Sequence, residues 1–220
     1  MHTWSEADAR DLLTAAGVAV VSATKAPIRC SDIDDIGPIL DRVLSEPGPW
    51  ALKVSSANVA HKTERGLVRL GLTDADQVTL AAAELAGLIS ADDGDCELLL
   101  SPLLDNVREL IVGVTRDDTY GTVVMLGTGG VAAELVGDVV FRQAPITRFD
   151  AQEMMDDLAL NAVLDEFRGR PAVDRQALGT LLIALSDLMT QRDDLQSIEC
   201  NPVLIDGGTP VAVDALVVAI

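Results

Sequence analysis

Hydrophobic and polar positions along the chain follow two periods that change from segment to segment. A period near 3.6 predicts helices after Ser5, within 31–48, after Thr73, after Asp150 and within 174–192. Apolar runs predict strands at 18–23, 50–56, 66–72, 94–104, 108–117 and 121–130, and a closing hairpin at 195–205 and 209–218. Antiparallel hairpins mixed with helices indicate an α+β fold.

The helical spacing also predicts which side chains face the core. In the second helix these are Leu40, Val43 and Leu44, and in the third they are Val78, Ala81, Leu85 and Leu88. Asp150 and Glu153 form a start signature for a helix that we expect to carry Met154, Leu158 and Phe167.

Composition restricts the classes of partner. Hydrophobic residues make up 49% of the chain and aromatic residues 3%, so we expect an aliphatic core. A formal charge of -19 argues against nucleic acids and anionic membrane surfaces, which such a chain repels. No apolar run is long enough for a membrane helix, and the first residues lack the pattern of a signal peptide. Three widely spaced cysteines favour a reduced, cytoplasmic protein.

Lys53 and His61 are the first candidates for chemistry. Lys53 interrupts the apolar run 50–56, where a lysine either extends to solvent or faces a cleft and neutralises phosphate charge. His61 lies beside Lys62 in a loop, where it is either an exposed side chain or a nucleophile that carries a phosphoryl group. The chain's other histidine, His2, is expected to be idle.

Two further segments carry candidate chemistry. The run GTGG at 127–130 follows an apolar strand, and such glycines either close a tight turn or let backbone N–H groups approach phosphate. Asn201 and Asp214 lie near the facing ends of the closing hairpin, where their oxygens suit Mg²⁺ and Glu199 can join or orient them. An Asn-Pro turn and a surface aspartate are the structural alternative.

Taken in order, these segments resemble the ATP-grasp domain of NDP-forming acyl-CoA synthetases, the beta subunit of ADP-forming acetate–CoA ligases. Succinyl-CoA synthetase beta is more distantly similar. The matching segments are ALKVSSANVAHKTERGLVRL, ELIVGVTRDDTYGTVVMLGTGGVAAELVGDVVFRQAPIT, FRGRPAVD, SIECNPVLI and AVDAL, and together they extend over nearly the whole chain.

The resemblance implies an ATP-grasp fold over 1–220, with two α+β lobes that hold the nucleotide between them. It places the first lobe at 22–96 and the second at 97–220, with 1–21 packing on the second. The implied reaction is acyl-CoA + ADP + phosphate ⇌ carboxylate + CoA + ATP through a phosphohistidine. ATP or ADP and Mg²⁺ are the implied ligands, and CoA is expected to bind an alpha-type partner subunit or domain in a hetero-oligomer.

The resemblance also implies roles for single residues. The nucleotide would contact Lys53 through its phosphates, Glu109 through its ribose, Ser101 and Leu103 through its adenine, and the glycines Gly127, Gly129 and Gly130. Mg²⁺ would bind Asn201 and Asp214, with Glu199 beside them. His61 would be a second phosphate carrier, and Glu134 and Arg142 would lie near the phosphoryl-transfer region.

The loop after His61 departs from the family pattern. The family usually has His-Lys-Ser-Asp-x-Gly-Gly-Val, whereas this chain has HKTERGLV, with Arg65 before Gly66 and Leu67 in place of the second glycine. The run LGTGG likewise replaces a commoner Gly-Leu-Gly-Gly arrangement. One alternative is an ATP-grasp ligase that joins a carboxylate to an amine, for which His61 is dispensable. The other is a non-catalytic ATP-sensing or assembly subunit, which the altered loop favours. The acyl group and the choice of ATP or GTP stay open.

Overall fold

The computed structural model describes residues 1–30, 33, 35–59, 62–104, 108–130 and 137–220. These residues form two compact units. The N-terminal unit contains 3–8 and 21–103, and the C-terminal unit contains 1–2, 9–20 and 104–220. The change of unit falls at 103/104, after the strand at 96–102, which pairs with two strands of the N-terminal unit.

Strands and helices follow one another along the described chain, with two short 3₁₀ turns at Ala91–Asp93 and Asn161–Leu164. The helices are α1 (Glu6–Ala15), α2 (Gly37–Ser45), α3 (Ala75–Leu88), α4 (Arg148–Asp157) and α5 (Arg175–Gln191). The strands are β1 (His2–Thr3), β2 (Thr24–Ile28), β3 (Trp50–Ser55), β4 (Val68–Leu72), β5 (Cys96–Pro102), β6 (Glu109–Asp117), β7 (Gly121–Thr128), β8 (Val139–Gln143), β9 (Leu195–Asp206), β10 (Thr209–Ala212) and β11 (Ala215–Ala219).

The N-terminal unit is built on a four-stranded antiparallel sheet in the order β2-β5-β3-β4. One face of this sheet buries Trp50, Leu52 and Leu98 in a hydrophobic cluster with the apolar sides of α2 and α3. Side chains alternate between faces along a strand, so Lys53 lies on the opposite face. Helices α2 and α3 therefore do not cover the face of the sheet on which Lys53 lies.

The C-terminal unit is built on a seven-stranded sheet in the order β1-β11-β9-β6-β7-β8, with β10 also paired to β9. The predicted hairpin is confirmed, because β6 and β7 pair antiparallel from Leu110 opposite Thr128 to Asp117 opposite Gly121. The closing hairpin is also confirmed, with its second arm divided into β10 and β11. Helix α5 buries Leu178, Leu182 and Leu185 in this unit's core.

Caps fix the ends of several helices. The Ser5 hydroxyl accepts the Asp8 N–H at 3.1 Å, as predicted for the start of α1. Asp74, rather than the predicted Thr73, caps α3 by accepting the Gln77 N–H at 2.9 Å. A capping box of Thr147 and Asp150 starts α4, in place of the predicted Asp150 and Glu153 pair.

Some sequence predictions were wrong. No strand forms at 18–23, where Val20 makes a single bridge to Ala212, and the strand lies at Thr24–Ile28 instead. Leu44 and Leu88 were expected inside but are 76% and 46% exposed. Helix α4 ends at Asp157, so Phe167 lies outside it. Within the described part of the chain, no helix is both long enough and apolar enough to cross a membrane.

Candidate functional site

Lys53 lies in a row of side chains across the N-terminal sheet. On β5, Leu99 is paired with Lys53 of β3 on one side and with Lys25 of β2 on the other. Directly opposed residues of neighbouring strands point to the same face, so both lysines emerge from the face away from α2 and α3. The sheet therefore brings together two of the chain's three lysines, of which the sequence pattern indicated only Lys53 as a site residue.

Glu6, in the first turn of α1, lies against this row and was not predicted as a site residue. The Lys53 Nζ is 3.3 Å from Glu6 Oε1, and the Lys62 Nζ forms an ion pair with Glu6 Oε2. Glu6 is 4% exposed, so its carboxylate is buried between two ammonium groups. A buried charge is tolerated only with such partners.

Ser101 and Leu103, predicted to line an adenine pocket, lie at the end of β5. Ser101 is buried opposite Ala51, two residues before Lys53 on the same strand, so Ser101 and Lys53 share a face. The Leu103 N–H donates to the Pro49 carbonyl at 2.9 Å and fixes the chain where the N-terminal unit ends.

His61 and Glu134 lie outside the described residues, but both ends of the loop around His61 are described. The Ser56 hydroxyl donates to the Asp93 carbonyl at 2.5 Å, and the Arg65 guanidinium pairs with the Asp93 carboxylate. Leu67 is fully buried in the core cluster. Arg65 and Leu67 thus each make defined contacts in this protein, Arg65 with the Asp93 carboxylate and Leu67 within the core cluster.

The glycine-rich segment meets Glu109, the residue predicted to hold the ribose. The Gly129 N–H donates to the Glu109 carbonyl at 2.7 Å, and a side chain at Gly129 would come within 2.7 Å of two Glu109 carbon atoms. Gly130 has φ +82°, in the region that favours glycine. At Gly127 an added carbon would lie 2.7 Å from Val139. The segment needs glycine for close approach, and the predicted ribose and glycine residues are neighbours.

The predicted metal-binding end lies on β9 and at the start of β11. Asn201 Nδ2 donates to Glu199 Oε1 at 3.1 Å, and the two side chains share a face of β9. Asp214 directly precedes Ala215, which pairs with Cys200. Burial, and then the charges of Glu199 and Asp214, raise the pKa of the Cys200 thiol to about 12. The carboxylates of Glu199 and Asp214 thus both lie near Cys200 on β9.

This donor set fits Mg²⁺, which is often held by one or two carboxylates together with waters and substrate phosphates. Asn201 is exposed, and Glu199 and Asp214 are partly exposed, so their oxygens can take an ion with its waters. Among the described residues there is no group of three His, Cys, Asp or Glu side chains arranged for a metal.

Arg142 is held by other contacts. It lies on β8, and its guanidinium pairs with Asp157 and lies 3.9 Å from Glu153, both on α4. In this structure Arg142 joins the edge strand to a helix, and its role near phosphoryl transfer stays a prediction.

Two α+β units, each built on a sheet, are what the resemblance to ATP-grasp proteins predicts. A family model for the ATP-grasp domain matches residues 2–219, and the chain belongs to that family. The predicted fold is thereby confirmed.

Similar proteins agree with this assignment. The beta subunit of acetate–CoA ligase (ADP-forming) I from Pyrococcus furiosus is 30% identical over 170 residues, which cover 76% of this chain and 73% of that subunit. The structure of Ca. Korarchaeum cryptofilum ACD1 in complex with coenzyme A matches with a TM-score of 0.88 and 26% identity, over 100% of this chain and 94% of that one.

A structure of the dinucleotide-forming acetyl-coenzyme A synthetase 1 from the same organism contains coenzyme A and Mg-AMPPCP, with its phosphohistidine segment pointing towards the nucleotide-binding site. It matches with a TM-score of 0.80 and 27% identity, over 98% of this chain and 93% of that one.

Proposed function

We propose that this chain is the nucleotide-binding, beta-type subunit of an ADP-forming acyl-CoA synthetase. It would take part in the reaction acyl-CoA + ADP + phosphate ⇌ carboxylate + CoA + ATP. The observation that carries the proposal is the match to a beta subunit of such a ligase along about three quarters of both chains. A CoA-binding alpha-type partner, which would pass phosphate on a histidine, belongs to the same proposal.

The chain's own residues would bind and align the nucleotide. Lys53 would neutralise phosphate charge, Glu109 would hold the ribose, and Ser101 and Leu103 would contact the adenine. Asn201 and Asp214, with Glu199, would hold Mg²⁺, which screens the phosphate charges when bound. Phosphoryl transfer depends on alignment and charge neutralisation more than on covalent chemistry from the protein, and these side chains would contribute to both.

The test is a calorimetric titration of the full chain with Mg·ADP and Mg·ATP. We expect binding that requires Mg²⁺ and that is weakened about tenfold or more by Asp214→Ala, since a ligand of the ion is lost. Asp206→Ala is the matched control, because Asp206 is an exposed carboxylate at the far end of β9. Equal weakening by both variants, or binding without Mg²⁺, would contradict the assigned metal site.

A second test addresses His61, whose role rests on the resemblance. With the CoA-binding partner present, we expect His61→Ala to abolish ATP formation from acyl-CoA while Mg·ADP binding survives. His2→Ala, the chain's other histidine, should leave both unchanged. Full activity in His61→Ala would remove this histidine from the mechanism and favour a ligase that works without it. Binding without any activity in the wild-type complex would favour an ATP-sensing subunit.

A further inference from the structure

All three lysines of this chain meet at the first turn of α1. The chain has 16 basic residues, of which only Lys25, Lys53 and Lys62 are lysines. Lys53 and Lys62 pair with the Glu6 carboxylate, and the Lys25 Nζ lies 3.5 Å from the Ala7 carbonyl oxygen. In a chain with a formal charge of -19, this is a local concentration of positive charge within the N-terminal unit.

The burial of Glu6 separates it from an ordinary acid at a helix start. Acidic side chains often lie in the first turn of a helix, where the helix dipole favours them, and there they can stay in water. Asp8 in the same turn is exposed, whereas Glu6 is 4% exposed. The Lys53 and Lys62 side chains are only 12% and 17% exposed. Capping does not require a carboxylate buried among lysines.

We propose that Glu6 is a positioning residue, which holds the ammonium groups of Lys53 and Lys62 side by side as one phosphate-binding pair. A lysine carries its charge on a flexible four-carbon stem, and two free ammonium groups repel each other. A carboxylate between them offsets this repulsion and fixes both stems. Among these three side chains, two ammonium groups outnumber one carboxylate, so the pair of lysines can still attract phosphate. This inference rests on the proposed function, since it takes Lys53 as a phosphate ligand.

One backbone contact that involves no lysine charge holds the first turn of α1, and with it Glu6, in place. The Ala7 N–H donates to the Ser55 hydroxyl at 3.0 Å, and Ser55 lies two residues after Lys53 on β3. The first turn of α1 is thus attached to the strand that carries Lys53. This contact offers a control, because Ser55→Ala removes the hydrogen bond to the first turn of α1 while all three charges stay.

The experiment is acetylation of lysines in the native full chain by an N-hydroxysuccinimide ester, followed by peptide mass spectrometry. A lysine held in an ion pair reacts slowly, because its amine must leave its partner before it attacks. We expect Glu6→Gln to speed the labelling of Lys53 and Lys62 severalfold, and Ser55→Ala to leave both rates within about twofold of the wild type. Glu84→Gln, which removes an exposed partner of Arg69, should change neither rate.

Unchanged rates in Glu6→Gln, or equal acceleration in Ser55→Ala, would overturn the inference. Glu6→Asp keeps the charge on a stem one methylene shorter, and we expect it to label at rates between those of the wild type and Glu6→Gln. If Glu6→Gln does not fold, circular dichroism will show it and Glu6→Asp decides instead: acceleration of both lysines supports the inference, and wild-type rates overturn it.

A nucleotide arm separates this inference from the proposed function. Mg·ADP should slow acetylation of Lys53 in the wild type, and Glu6→Gln should weaken Mg·ADP binding about tenfold, since a charged group has lost its partner. If Mg·ADP does not protect Lys53 in the wild type, that result counts against the proposed function. The acetylation rates measured without nucleotide still test whether Glu6 holds the two lysines. Protection with unchanged affinity in Glu6→Gln would overturn the positioning role alone.

Discussion

Arg65 and Asp93 form a two-pronged ion pair, with Arg65 Nη1 at 2.7 Å from Asp93 Oδ1 and Nη2 at 3.0 Å from Oδ2. The Asp93 carboxylate is buried and also accepts the Ser90 N–H at 2.8 Å. This pair attaches the loop after His61 to the turn at 90–94.

The pair predicts a pH-dependent stability. Hydrogen bonds from Arg65 and then from Ser90 hold the pKa of Asp93 well below its usual range. A carboxylate with a lowered folded-state pKa stabilises the fold above its unfolded-state pKa of about 4, and that contribution is lost as the pH falls through the folded-state pKa. Asp93→Asn should therefore lower the free energy of unfolding by about 1.5–3 kcal/mol at pH 7.

Urea unfolding of wild type and Asp93→Asn at pH 7, 4 and 3 measures this effect. The difference between the two proteins should be largest at pH 7 and should narrow below about pH 4. Asp92→Asn is the control, because Asp92 is the exposed neighbour and should leave stability nearly unchanged at each pH. A difference that stays constant over this range would mean that the Asp93 charge contributes nothing.

The burial of Leu67 predicts that a smaller side chain in the loop after His61 lowers stability. Leu67 replaces a glycine of the family pattern and is fully buried in the core cluster of the N-terminal unit. Leu67→Ala should lower the free energy of unfolding by about 2–4 kcal/mol, because buried apolar contacts are lost and a cavity remains. Leu70→Ala on β4 should cost less than about 0.5 kcal/mol, since Leu70 is 61% exposed. Similar losses in both variants, measured by chemical denaturation, would contradict the packing described here.

The hydrogen bonds of Arg108 to the connector 165–171 predict that they protect it from proteases. The buried Arg108 guanidinium donates to the Asp165 carbonyl at 3.1 Å and to the Pro171 carbonyl at 2.6 Å. Arg108→Met removes both bonds, so brief trypsin digestion should cut after the exposed Arg168 faster than in the wild type. Arg148→Met, which removes an exposed arginine at the start of α4, should leave that rate unchanged. Equal cutting rates in all three proteins would show that Arg108 does not hold the connector.

Much of the fold could be predicted from the sequence because its signals are local. The hairpin of β6 and β7 follows from two apolar runs joined by a short polar turn, and Ser5 caps α1 as its position indicates. The apolar run 18–23 was misleading because Val18 and Val21 are buried without pairing in a sheet. Strand β2 was missed because its sequence, TKAPI, contains a lysine and a proline and lacks an apolar run.

In the candidate site, too, only the contacts between residues close in the sequence could be predicted. Glu199 and Asn201 could be placed together because they lie two residues apart on one strand, and Gly129 meets Glu109 within one predicted hairpin. Glu6 could not be predicted, because Lys53 and Lys62 are 47 and 56 residues away along the chain. No local period in the sequence indicates a contact of that span, which depends on where the first turn of α1 lies on the sheet.

The close approach of Gly129 to Glu109 predicts the effect of a single methyl group. In Gly129→Ala the new carbon would lie 2.7 Å from the carbonyl carbon and Cβ of Glu109, so the backbone of one of them must move. We expect Mg·ADP binding to weaken about tenfold, about 1.4 kcal/mol, since the residue proposed to hold the ribose shifts.

Gly87→Ala is the matched control, because an added carbon there meets nothing within 4 Å and α3 should gain up to about 1 kcal/mol in stability. Calorimetric titration and thermal unfolding of both variants provide the measurement. Unchanged Mg·ADP affinity in a folded Gly129→Ala would mean that the contact between Glu109 and the glycine-rich segment has no part in binding the nucleotide.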